Sequence, residues 1–161
     1  MNEAHWHLAV NHLPIILPIA GLIVLICSLI FKSDAVRKSA YVLLIIAALT
    51  AAVSMKTGEE AEELVEHMAG IEHSMIHEHE EAAEGFAVLM YILGVVSIVG
   101  IWAEVKKATW GKWVIYLVLV LSVVAIYMAR ITGTTGGEVR HTEIRAGFAP
   151  QAEADEHEEN E

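Results

Sequence analysis

The chain has 161 residues, of which 55% are apolar, with a mean hydropathy of +0.50 and a formal net charge of −11. The length fits one domain, and the apolar share is too high for an ordinary soluble one. The acidic balance excludes a nucleic-acid-binding surface, which needs clustered positive charge. A single cysteine, Cys27, excludes an internal disulfide, and the lack of a CxxCH motif excludes a covalent c-type haem.

Four apolar runs account for the hydropathy: residues 8–31, 39–55, 86–105 and 113–129. A spanning helix needs roughly 20 mostly apolar residues. The first and third runs reach that length alone, and the other two reach it with their flanks. A soluble bundle helix keeps one polar face. These runs carry no acidic or basic residue on any face, apart from Glu104 near one end. The expected fold is therefore all-α: an integral membrane four-helix bundle over residues 1–148. Its helices are expected at about 11–31, 37–55, 75–105 and 110–130, followed by a disordered acidic tail at 149–161.

Charge sets the expected orientation. The two short connections between runs carry six basic residues, Lys32, Arg37, Lys38, Lys106, Lys107 and Lys112, against Asp34 and Glu104. Basic loops stay in the cytoplasm. Both termini and the connection between the second and third runs are thus expected on the outer side. All nine histidines fall on or near that side.

In chain order, the N-terminus places Trp6 as an interfacial anchor flanked by His5 and His7. Asn11-His12-Leu13-Pro14 then reads as the start of the first membrane helix, with Pro18 kinking it. His12 lies within about a turn of the apolar core, so it is either a ligand or a snorkelling side chain. The second helix is expected to end at Gly58. A short acidic surface helix, 59–66, follows it.

The richest stretch is 67–84. It holds His67, His73, His77 and His79 among Glu72, Glu78, Glu80, Glu81 and Glu84. Ser74 is the expected cap of the third helix. His79 continues a stripe of Phe86, Met90, Leu93, Ser97 and Gly100, and so faces the bundle. His73 and His77, and His77 and Glu81, stand four apart, a spacing that suits Zn²⁺ or Cu²⁺ on a helix. Trp102, Trp110 and Trp113 mark the opposite interface. The run Thr132 to Gly137 matches no phosphate-binding motif and reads as a helix exit and loop.

The chain also reads as two helical hairpins of similar plan. Each has a histidine near its entry (His12, His79) and a Thr-Gly pair on its return (Thr57-Gly58, Thr132-Gly133). Repeats of this kind are related by an axis along the membrane normal.

Around His7, Asn11-His12-Leu13-Pro14, Thr57-Gly58-Glu59-Glu60-Ala61-Glu62-Glu63 and His79-Glu80-Glu81-Ala82-Ala83, the chain resembles a family of small four-helix bacterial membrane proteins. That family is a domain of unknown function whose members read NHxP, TGxxAEE and HExAA. The resemblance covers residues 1–129. It implies a multi-pass bacterial inner-membrane protein and no particular activity.

Three functions follow as expectations. The first is a redox protein holding a b-type haem near the outer face through His12 and His79, and passing electrons between quinone or a respiratory membrane complex and an outer partner. The second is a Zn or Cu site drawn from His73, His77, His79, Glu62 and Glu81. The third is a cofactor-free accessory subunit of a larger membrane complex. Homo-oligomers are compatible with each, and the lipid bilayer is a partner in all. Hydrolysis is disfavoured, because the run is HEHEE rather than HExxH and no nucleophile elbow occurs.

Overall fold

The computed structural model describes residues 2–68 and 71–148. The expected acidic tail, 149–161, lies outside the described residues. Five α-helices follow one another: α1 (Glu3–Val10), α2 (Leu13–Ile30), α3 (Asp34–Val65), α4 (His73–Val105) and α5 (Gly111–Arg140). A 3₁₀ turn, Thr142–Ile144, closes the described chain. Among the described residues there is no strand. Taking α1 and α2 together, four helices are long and apolar enough to cross a membrane.

The helices form a closed ring. α2 packs on α3, α3 on α4, α4 on α5, and α5 returns to α2, while α1 leans on α3. Tyr41, Leu25, Leu44, Met90, Leu93 and Val118 fill the centre. Ile16, Ile23, Leu49, Val95 and Tyr116 point away from it and are exposed. Only 28% to 44% of each apolar window is buried inside the bundle. The rest of each apolar stretch faces outward, in helices whose length and composition suit a membrane crossing.

The first span begins earlier than expected. Asn2 caps α1 through Oδ1, which accepts from the His5 amide at 3.0 Å. The chain then loosens at Asn11-His12 before α2. Pro14 explains the break, because it has no amide to continue the ladder.

The returning helices run further than the sequence suggests. Gly58 does not end α3, which continues to Val65 and absorbs the acidic segment expected to stand alone. The Thr132–Gly137 run is not a loop but the last turns of α5. Glycine normally weakens a helix by roughly 0.5–1 kcal/mol. Here Gly58 and Gly136 each lie against a histidine ring, where a side chain would crowd it. At the start of α4 the capping position is Glu72 rather than Ser74.

At the opposite end, two short turns join α2 to α3 and α4 to α5. Lys32 and Lys107 both have φ of 50° and close their helices in the left-handed conformation. The Ser33 amide donates to Ser28 O at 3.1 Å, and the Ala108 amide to Ala103 O at 2.9 Å. Arg37 and Glu104 join α3 to α4 there, with Nη1 2.6 Å from Oε1.

The two hairpins repeat each other in detail. On the outgoing helices the inward stripe is His7, Pro14, Pro18, Gly21, Leu25 and Ser28 in one half. It is His79, Phe86, Met90, Leu93, Ser97 and Gly100 in the other. The spacing is the same throughout, so His7 and His79 hold equivalent places. On the returning helices Ala40, Leu44, Ala47, Ala51, Ser54 and Thr57 match Val118, Ser122, Ala125, Ala129, Thr132 and Thr135, again step for step. The Thr-Gly pair of the second half is therefore Thr135-Gly136, one turn beyond the pair expected from sequence.

Candidate functional site

The repeat places one histidine of each hairpin against its own returning helix. His7 Nδ1 lies 3.2 Å from Ser54 O and 3.3 Å from Thr57 Oγ1. His79 Nδ1 lies 3.2 Å from Thr135 Oγ1. Both rings are half-buried. Both sit over a glycine: a Cβ on Gly58 would stand 3.2 Å from His7 Cε1, and one on Gly136 would stand 2.8 Å from His79 Cε1. The shared element is Ser/Thr-x-x-Thr-Gly, read at 54–58 and again at 132–136.

These hydrogen bonds fix the tautomer. A threonine hydroxyl has one proton to give. Thr57 gives its proton to the carbonyls of Val53 and Ser54, at 3.0 and 3.1 Å. Thr135 gives its own to Thr132 O at 3.1 Å. With the protons so directed, each Oγ1 accepts from the imidazole, which assigns the hydrogen to Nδ1 of each histidine. Ser54 O, which has no proton, makes the same demand on His7. Each Nε2 is left with a free lone pair, the form in which histidine binds metals.

The second half is tied more tightly still. Thr132 Oγ1 donates to Ala82 O at 3.1 Å, joining α5 to α4 one turn after His79. Arg145 staples the ends of the same two helices. Its guanidinium donates to Glu138 O at 2.7 Å, to Val139 O at 3.2 Å and to Glu72 Oε1 at 2.9 Å.

The remaining histidines behave differently. His12, expected as the partner of His79, is exposed at the start of α2 and makes no side-chain hydrogen bond among the described residues. His77 is turned to solvent, 3.7 Å from Glu80 and 3.4 Å from Glu81. His73 is exposed. Glu62, half-buried on α3, lies in the charge field of His73, His77 and Glu80. His79 instead faces α5. Among the described residues, no three His, Cys, Asp or Glu side chains gather where they could hold a metal ion.

Sequence reasoning placed His7 beside Trp6 and within the family resemblance, and gave it no part in a site. Two signals pointed to it: its spacing to Pro14, Pro18 and Gly21, and the doubled Ser/Thr-x-x-Thr-Gly element.

Compared with family models, curated proteins and solved structures, the chain matches none, so the site's own geometry carries the functional argument.

Proposed function

We propose that this is a membrane electron-transfer protein holding a b-type haem between His7 and His79. The observation that carries the reading is the pair of equivalent imidazoles, one per hairpin, each with Nδ1 tied to its returning helix and Nε2 free. Bis-imidazole ligation of haem iron uses that form of the ring, and helical bundles hold cofactors with side chains from different helices. The Thr57 and Thr135 hydroxyls and the Ser54 carbonyl are the outer partners that orient such ligands. Haem supplies one-electron exchange. The protein would supply two imidazole donors and the orientation of their rings.

The membrane setting rests on the exposed apolar exterior. Six lysines and arginines at the turn end favour that end in the cytoplasm, which puts both termini and the histidine end at the outer face. In a bacterial inner membrane the electron partners are quinone or a respiratory complex on one side and an outer acceptor on the other.

The test is a reduced-minus-oxidised visible spectrum of the detergent-purified protein, with metal analysis of the same sample. Sharp bands that disappear in His7→Ala and in His79→Ala, and survive in His12→Ala, support the reading. A flat spectrum from protein expressed with ample haem overturns it.

A further inference from the structure

The opposite end of the bundle carries a second polar feature that the histidine pair does not use. A cleft of about 740 Å³ opens between the start of α3 and the α4–α5 turn. Its charged lining is Arg37, Lys38, Lys107 and Lys112 against Asp34 and Glu104. Four cations against two anions leave it positive, on a chain that is otherwise strongly acidic.

Among the described residues, the buried Arg37 Nε on the cleft wall has no partner, and neither has the Tyr41 hydroxyl, whose ring packs against Gly100 outside the cleft lining. Arg37 spends Nη1 on Glu104 and Asp34, at 2.6 and 3.3 Å, while its buried Nε is unsatisfied. One turn deeper on α3, Tyr41 is fully buried, and its hydroxyl is unsatisfied too. Tyr41 lies within the charge field of both Arg37 and Glu104. An arginine Nε–H is a donor only, and a phenol donates readily. Buried donors left over in this way call for an acceptor. Exposed lysines around a cleft walled by Arg37, which has a spare Nε–H, suit a ligand with several anionic oxygens.

We infer that this cleft binds a phosphate group, presented by an anionic phospholipid in the leaflet around it. Three features favour the lipid as the source. Lys112 of the cleft lies 5.5 Å from the Trp113 ring, and Trp102 and Trp110 pair at the same turn, the residue type that marks headgroup level. Basic pockets between membrane helices are the usual seats of anionic headgroups. The neighbouring helix faces are apolar and exposed, at Val105 and Trp113, where acyl chains can lie.

The full-length protein in neutral-detergent micelles is titrated with phosphatidylglycerol, with phosphatidylcholine and with inorganic phosphate. Binding is followed by native mass spectrometry and by the shift in melting temperature. Phosphatidylglycerol is expected to bind saturably, about one per chain, and phosphatidylcholine is not. The variant Lys38→Gln/Lys107→Gln/Lys112→Gln, which alters only exposed side chains, is expected to bind about a hundredfold more weakly, since each lysine near a lipid surface is worth about 1 kcal/mol. The control Lys32→Gln/Lys106→Gln removes charge from the same end outside the cleft and keeps the affinity. Saturable binding of inorganic phosphate, lost in the triple variant, also supports the site and names free phosphate as a sufficient ligand. Equal binding of the two lipids with no phosphate response overturns the proposal. So does an equal loss in the control variant.

Discussion

His79 Nδ1 lies 3.2 Å from the Thr135 hydroxyl, and that hydroxyl has already given its proton to Thr132 O. The contact decides which imidazole nitrogen is free. Thr135→Val keeps the shape of the side chain and removes the acceptor. Outer partners of this kind change ligand affinity by about 10- to 100-fold. Haem affinity is expected to fall by that factor in Thr135→Val with helix content unchanged, as read by haem titration and circular dichroism. Thr57→Val is expected to have a smaller effect, because Ser54 O still accepts from His7.

The glycine under each ring separates site geometry from stability. Gly136→Ala adds a methyl 2.8 Å from His79 Cε1, whereas Gly58→Ala adds one 3.2 Å from His7 Cε1. Alanine in a helix gains roughly 0.5–1 kcal/mol over glycine. Gly136→Ala is therefore expected to hold its melting temperature while losing the haem spectrum. Gly58→Ala is expected to retain part of it. Unfolding of Gly136→Ala well below the parent would mean that the ring cannot yield and that the contact is structural.

Close packing at mid-bundle predicts a different outcome. A Cβ on Gly94 would fall 2.6 Å from the Ala48 Cβ, between two helix backbones rather than against a flexible side chain. Overpacking of this kind costs about 1–3 kcal/mol. Gly94→Ala is expected to destabilise the protein by that amount in denaturant titrations in detergent. Loss of cofactor in this variant should follow unfolding and not precede it.

Arg145 makes a prediction about local order. Its three hydrogen bonds hold the end of α5 to Glu72 at the start of α4. Glu72 is largely exposed, so the ion pair itself adds little. The bonds to Glu138 O and Val139 O cap carbonyls that the helix leaves open. Arg145→Ala is expected to cost about 1 kcal/mol. It should also speed amide exchange in the last turns of α5, with the core of the bundle unaffected.

Much of this protein is written locally in its chain. Four apolar runs, two short basic turns and the stripe from His79 to Gly100 follow from hydropathy and helical period, which need only neighbouring residues. These properties settled the all-helical class, the number of long apolar helices and the inward placement of His79. The tertiary structure alone decided which histidine meets helix backbone as His79 does. It chose His7, because α1 leans on α3 and brings the ring to Ser54 and Thr57, some fifty residues away. It also decided that Gly58 and the Thr132–Gly137 run stay helical, against their propensity as breakers. Gly58 and Gly136 each lie under an imidazole packed from a neighbouring helix, which needs the missing Cβ, and no local rule contains that neighbour.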